Sequence, residues 1–115
     1  MTYPELVSAL SKPGEDIIKG MTPLGAHQLH MAIGIAGEAG ELIDAVKKHV
    51  IYEQQIDLEN VIEELGDLEF YMEGLRQGMG ITRTECLVKN MAKLLKRYGE
   101  KYCNQAAKDR KDKQP

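Results

Sequence analysis

The stretch from Thr22 to about Tyr52 constrains the fold more than any other part of this 115-residue chain. Thr22 followed by Pro23 has the form of an N-cap with proline at the first helical position, so a long helix opens here. Laid out at about 100° per residue from Met31, the residues Ile35, Leu42, Val46, Ala39, Val50, Ile43, Ala36, Leu29, Gly40 and Ile33 fill a continuous apolar arc of about 200°. That is roughly twice the stripe a surface helix needs. One neighbouring helix cannot cover it. The width predicts burial on two sides, most simply in a four-helix arrangement completed by a second copy of the chain. A single domain of this size gains much from self-association, because it buries only about two thirds of its unfolded surface.

The rest of the chain also reads as helix, giving an all-α fold. No stretch alternates with period two between turn residues. A short helix is expected from Tyr3 to Ser11, ended by Lys12-Pro13-Gly14, with a mobile link after it. Asp57 is placed to cap a helix over Leu58 to Gly78, whose stripe is Val61, Leu65, Leu68, Met72, Leu75 and Met79, with Gly78 and Gly80 stopping it. Thr82-Arg83-Thr84-Glu85 has capping-box form and opens a helix to about Tyr98 with the stripe Leu87, Met91, Leu94 and Tyr98. Gly99 is a natural residue to follow it. Met72, Met79 and Met91 are read as core. The expected organisation is one domain over residues 1–103, with helices about 22–52, 57–79 and 82–98, then a basic, mobile tail over 104–115.

Net charge is only -3, too little to argue for a nucleic-acid polymer or a membrane surface. Its distribution says more. Residues 38–73 carry a net charge of -9 and residues 74–113 a net charge of +7, so either two solvated faces attract each other or a site needs both signs. Cys86 and Cys103 lack ligand spacing and are read as plain thiols. With no apolar run of about 20 residues and no signal-like N-terminus, the expected location is the cytosol.

Glu38 and Glu41 stand three residues apart on one helix, and Glu64 and Asp67 three apart on the next, so each pair shares a face. Glu64 and Asp67 border the apolar stripe and are drawn inward with it. Clustered carboxylates repel and hold protons unless a cation neutralises them. Oxygen-only ligation suits Mg²⁺ or Mn²⁺ rather than zinc, and magnesium commonly bridges carboxylates to substrate phosphates. Asn90, Lys93 and Arg97 share a face that offers an amide, an ammonium and a guanidinium to phosphate oxygens. His27 and His30 lie on the carboxylate arc, within reach of a base or ribose or else satisfied by the fold. Tyr71, one turn beyond Asp67, either stacks on a base or packs in the core. Gly34, Gly37 and Gly40 each oppose the long helix by roughly 1 kcal/mol relative to alanine. Close packing against a neighbouring helix is the bland reason, strongest for Gly40.

Taken together, Gly37-Glu38-Ala39-Gly40-Glu41-Leu42, Glu63-Glu64-Leu65-Gly66-Asp67-Leu68 and Asn90-Met91-Ala92-Lys93-Leu94 with Lys96-Arg97-Tyr98 resemble the MazG-like nucleoside triphosphate pyrophosphohydrolases, from about His27 to Arg110. The likeness is closest to compact single-domain members, including those carried by phages. The resemblance implies a four-helix bundle completed by dimerisation, and hydrolysis of a nucleoside triphosphate, expected to be a deoxynucleotide, to the monophosphate and pyrophosphate in pool sanitation. By position it implies that Glu38, Glu41, Glu64 and Asp67 bind Mg²⁺, with Glu41 the candidate to orient the attacking water. Lys93 and Arg97 would hold the triphosphate and Asn90 an oxygen or ribose hydroxyl, with help from a second subunit in a homodimer or tetramer. Three departures stand out: Gly37 where a polar residue often precedes the first pair, Glu69 in place of an apolar residue, and Gly99 in place of a common proline. The resemblance extends to phosphoribosyl-ATP pyrophosphohydrolases, and a non-catalytic helical dimer is the rival from another class.

Overall fold

A computed structural model describes residues 1–99, 101 and 103–113. Among them every regular element is helical: α1 (Tyr3–Leu10), α2 (Gly14–Gly20), α3 (Pro23–Val50), α4 (Leu58–Met79), α5 (Arg83–Tyr98), α6 (Asn104–Asp109) and a 3₁₀ turn (Lys111–Lys113). The starts of α3, α4 and α5 follow from side-chain capping. The Thr22 hydroxyl accepts from the Gly25 amide at 2.9 Å and the Asp57 carboxylate from the Asn60 amide at 3.1 Å. At α5 the box is reciprocal, with Glu85 N–H on Thr82 Oγ1 at 3.1 Å and Thr82 N–H on Glu85 Oε2 at 3.2 Å. Gly80 ends α4 at φ 69°, and Gly99 ends α5 at φ 68°, where proline cannot go.

Two segments differ from expectation. The stretch after Lys12-Pro13-Gly14 is a helix rather than a link. The Pro13 carbonyl accepts from the amides of Asp16 and Ile17, so the proline opens α2 as well as closing the approach from α1. Residues 104–113, expected as tail, carry α6 and the 3₁₀ turn, and Asp112 reaches back to Arg97 on α5. Residues 114 and 115 lie outside the described residues.

α3 and α4 pack side by side as an antiparallel hairpin and form the only extensive helix pair among the described residues. Their contact is close because glycines on one helix receive side chains from the other. The Tyr71 ring lies where a Cβ on Gly34 would stand, Met31 Sδ where one on Gly74 would stand, and His27 Cδ2 would meet one on Gly78 at 2.8 Å. Gly78 therefore packs inside α4, and Gly80 does the stopping. A methyl on Gly37 or on Gly40 would meet nothing within 4 Å, so the close-packed glycine of α3 is Gly34 rather than Gly40.

The wide apolar arc of α3 is covered on one side only. Met31 and Ala45 are buried, whereas Leu29, Ile33, Ile43 and Val50 are exposed. Met79 on α4 and Met91 on α5, read as core, are also exposed, as are Leu87, Leu94 and Leu95. α5 packs on α6 and the 3₁₀ turn and makes no extensive contact with the hairpin, so one chain does not close a four-helix bundle. The radius of gyration is 19.8 Å, where a compact chain of this length has about 13 Å. Accessible surface is 9376 Å², about 3,000 Å² more than a folded monomer of this mass exposes.

Candidate metal centre

α3 and α4 bring three of the four expected carboxylates together. One oxygen each from Glu38, Glu64 and Asp67 lie within 4.8 Å of one another, Glu38 and Glu64 half-buried and Asp67 exposed. The antiparallel register fixed by the Gly34–Tyr71 and Met31–Gly74 contacts sets Glu38 level with Asp67, one turn from Glu64 on α4. Glu41 is exposed and stands outside the trio. Its charge is still felt there.

Glu64 is the electrostatic centre. Its carboxyl is pushed up to about 7. The largest cause is a hydrogen bond with Glu38, which requires a proton between the two carboxylates. Partial burial follows, then the negative charges of Glu38, Glu41 and Asp67. The Oε2 atom of Glu64 is buried and has no hydrogen-bond partner. A buried acceptor left unpaired is costly. A cation among these oxygens removes both the repulsion and the orphaned acceptor, and an all-oxygen donor set matches a hard divalent ion.

Around the trio the expected residues divide. Tyr71 is half-buried on Gly34, with its ring edge-on to His30 at 6.1 Å between centroids and to Phe70 at 5.2 Å. His27 Nε2–H donates to the Gly74 carbonyl at 2.9 Å, so this histidine is satisfied by the hairpin. Gln28 does likewise, its amide donating to the Gly78 carbonyl at 2.9 Å. His27, Met31, Phe70, Glu73, Gly74 and Gln77 line a cavity of about 350 Å³ beside them. Glu69 shares one guanidinium with Glu73, since Arg76 lies 3.5 Å from the first and 3.2 Å from the second, so one of their two charges is offset.

The basic groups stand apart from the carboxylates. Asn90, Lys93 and Arg97 are on α5, which does not pack extensively on the hairpin. Lys93 lines a cavity with other lysines. Arg97 has Nε and one Nη committed to Asp112, at 2.8 and 3.2 Å, and also hydrogen-bonds the Tyr98 side chain, so only part of its fork is open to a ligand. Asp112 is the polar residue that sequence reasoning passed over. Only its place in an acid-poor, basic segment set it apart.

The chain matches the MazG nucleotide pyrophosphohydrolase domain over residues 26–101. That span holds nearly all of α3 and the whole of α4 and α5, and with them all four carboxylates. Neither curated proteins nor solved structures gave a match.

Proposed function

The chain belongs to the MazG nucleotide pyrophosphohydrolase family, and from that premise we propose that it hydrolyses a deoxynucleoside triphosphate between the α and β phosphates, releasing the monophosphate and pyrophosphate. The observation that carries this reading is the Glu38–Glu64–Asp67 trio with its orphaned Glu64 oxygen. Three carboxylates sharing one small volume are arranged for a cation, and phosphate esters are the substrates that carboxylate-bound hard cations serve. When bound, Mg²⁺ or Mn²⁺ neutralises the trio and supplies Lewis acidity toward phosphate oxygens.

Glu38, Glu64 and Asp67 hold the cation. Glu41, exposed and one turn from Glu38, orients the attacking water and takes its proton as the new oxygen–phosphorus bond forms and the bridge to the β phosphate breaks. Asn90 and Lys93 meet phosphate oxygens and offset charge on the departing pyrophosphate, with the remaining donors of Arg97 on the same face. Tyr71 and His27 border the base or ribose. Since α5 makes no extensive contact with the hairpin of its own chain, α5 of a second copy brings the basic face to the carboxylates. That assembly is a homodimer, or a tetramer of two such dimers, and covers the exposed arc of α3. Pool sanitation in the cytosol is the corresponding role. No helix among the described residues is long and apolar enough to cross a membrane.

The test is metal-linked stability together with turnover. Mg²⁺ raises the melting temperature of the parent and not that of Asp67→Asn, because a ligand that binds only the folded state stabilises it in proportion to its occupancy. Glu41→Gln keeps the metal-induced shift and loses turnover. If Glu41→Gln and Asp67→Asn both retained full activity, the site would lie elsewhere.

A further inference from the structure

Outside the carboxylate trio, a second charged cavity lies at the C-terminal end of the chain. Lys89, Ala92, Lys93 and Lys96 of α5, with Asp112 and Lys113 of the 3₁₀ turn, line a space of about 310 Å³. Asp112 is held by Arg97 fork to fork, with Nε–Oδ1 at 2.8 Å and Nη2–Oδ2 at 3.2 Å. The Asp112 side chain is only 4% exposed and that of Arg97 16%, so this pair is shielded from water, unlike the other ion pairs among the described residues. Each member holds the other charged: the carboxyl lies below its usual range and the guanidinium above its own, chiefly through their hydrogen bonds.

The pair also fixes Lys113. This lysine comes directly after Asp112, and its amide donates to the Arg110 carbonyl at 2.8 Å, closing the turn. With Asp112 neutralised by Arg97, the ammonium groups of Lys89, Lys93, Lys96 and Lys113 border one cavity, and none forms an ion pair among the described residues. Four like charges around a small space repel unless an anion occupies it.

We infer that Asp112 locks the C-terminal turn onto Arg97 and so brings Lys113 beside Lys89, Lys93 and Lys96 in a seat for a polyphosphate anion. Lys89, Lys93 and Lys96 stand at i, i+4 and i+7, so they spread along about 10 Å of helix, a span suited to linked phosphates rather than to one. Ammonium groups bind phosphate oxygens as point charges without a fixed fork, which suits a flexible phosphate chain. Toward the lysines of this seat Arg97 is a positioning residue that acts through Asp112, apart from any contact its remaining donors make with phosphate. Asp112 and Lys113 lie beyond residues 26–101, so the seat is an addition to the family-matched span. The anion is either the phosphate tail of a nucleotide or free pyrophosphate, and only the first source rests on the proposed reaction.

The experiment is calorimetric titration of inorganic pyrophosphate into the full chain, in EDTA so that no cation at the carboxylate trio contributes. Lys96→Ala and Lys113→Ala, which leave the Arg97–Asp112 pair intact, each weaken binding by roughly tenfold, the scale of one lost charge-assisted contact. Asp112→Asn weakens it similarly while the circular dichroism spectrum stays that of the parent, and Lys12→Ala, in the α1–α2 junction, changes nothing. Turnover assays separate the sources. A raised KM for a deoxynucleoside triphosphate with kcat retained assigns the seat to the nucleotide tail, and weakened inhibition by pyrophosphate with KM unchanged assigns it to the free anion. Parental pyrophosphate affinity in both lysine variants, or no binding by the parent, overturns the inference. Because binding is read without metal or turnover, a chain that proves inactive still leaves this test decisive.

Discussion

At the scale of single residues, Glu64 couples the charge of the carboxylate trio to stability. A carboxyl that is about 7 when folded and 4.5 when free binds its proton more tightly in the folded chain. Its contribution to stability is therefore fully present below about 4.5 and is lost as pH rises through about 7. Thermal melts of the metal-free chain across that window should show stability falling with rising pH, with a flatter profile in Glu64→Gln. Divalent cation should remove the fall and release protons on binding, because the ligands must be deprotonated. The glycines of α3 give a paired prediction. Gly34→Ala forces a methyl into the Tyr71 ring and destabilises, whereas Gly37→Ala meets open space and stabilises by about 0.5–1 kcal/mol through helix propensity. Denaturant titration of both variants checks the contrast; a stabilised Gly34→Ala would contradict the described hairpin contact.

At the scale of elements, the caps are the most legible part of the sequence. Thr22-Pro23, Asp57 and the Thr82–Glu85 box each place a polar side chain where an exposed amide needs one, and that signal is local. Facing contacts are less legible. Periodicity gives a helix its apolar arc but not the neighbour that covers each part of it, so it points to Gly40 where Gly34 does the packing. The carboxylate trio is readable because Glu64 and Asp67 border an apolar stripe and Glu38 stands three residues from Glu41 on the glycine-lined arc of α3, while the Arg97–Asp112 pair joins residues fifteen apart across a polar, basic segment with no periodic mark. α2 is hidden by Pro13, because proline breaks and begins helices equally well. The exposed face of α5 carries its own prediction. Met91→Asp or Leu94→Asp should turn an assembled species into monomer and lower the melting temperature, read by sedimentation at several concentrations. An unchanged assembly in both variants would exclude α5 from the interface.

At the scale of the whole molecule, an open chain carries a site with two kinds of charge. The carboxylates sit on the α3–α4 hairpin, the lysines sit on α5, and about 3,000 Å² of surplus surface separates this chain from a compact monomer of its size. Two copies carry about twice that surplus, and obligate homodimer interfaces, at about 2,000–5,000 Å² or more summed over both partners, are large enough to cover most of it. In the proposed assembly a second copy covers the exposed arc of α3 and brings the two charges together, so assembly and activity should fail together on dilution, and the melting temperature should depend on concentration. The proposed reaction is tested most sharply by product analysis with canonical and modified nucleoside triphosphates and deoxynucleoside triphosphates, with phosphoribosyl-ATP included, in Mg²⁺, in Mn²⁺ and in EDTA. Equal amounts of monophosphate and pyrophosphate are expected in either metal and none in EDTA. Folded, assembled protein that releases no pyrophosphate from any of these substrates, or that releases it equally in EDTA, would contradict metal-dependent hydrolysis at the carboxylate trio.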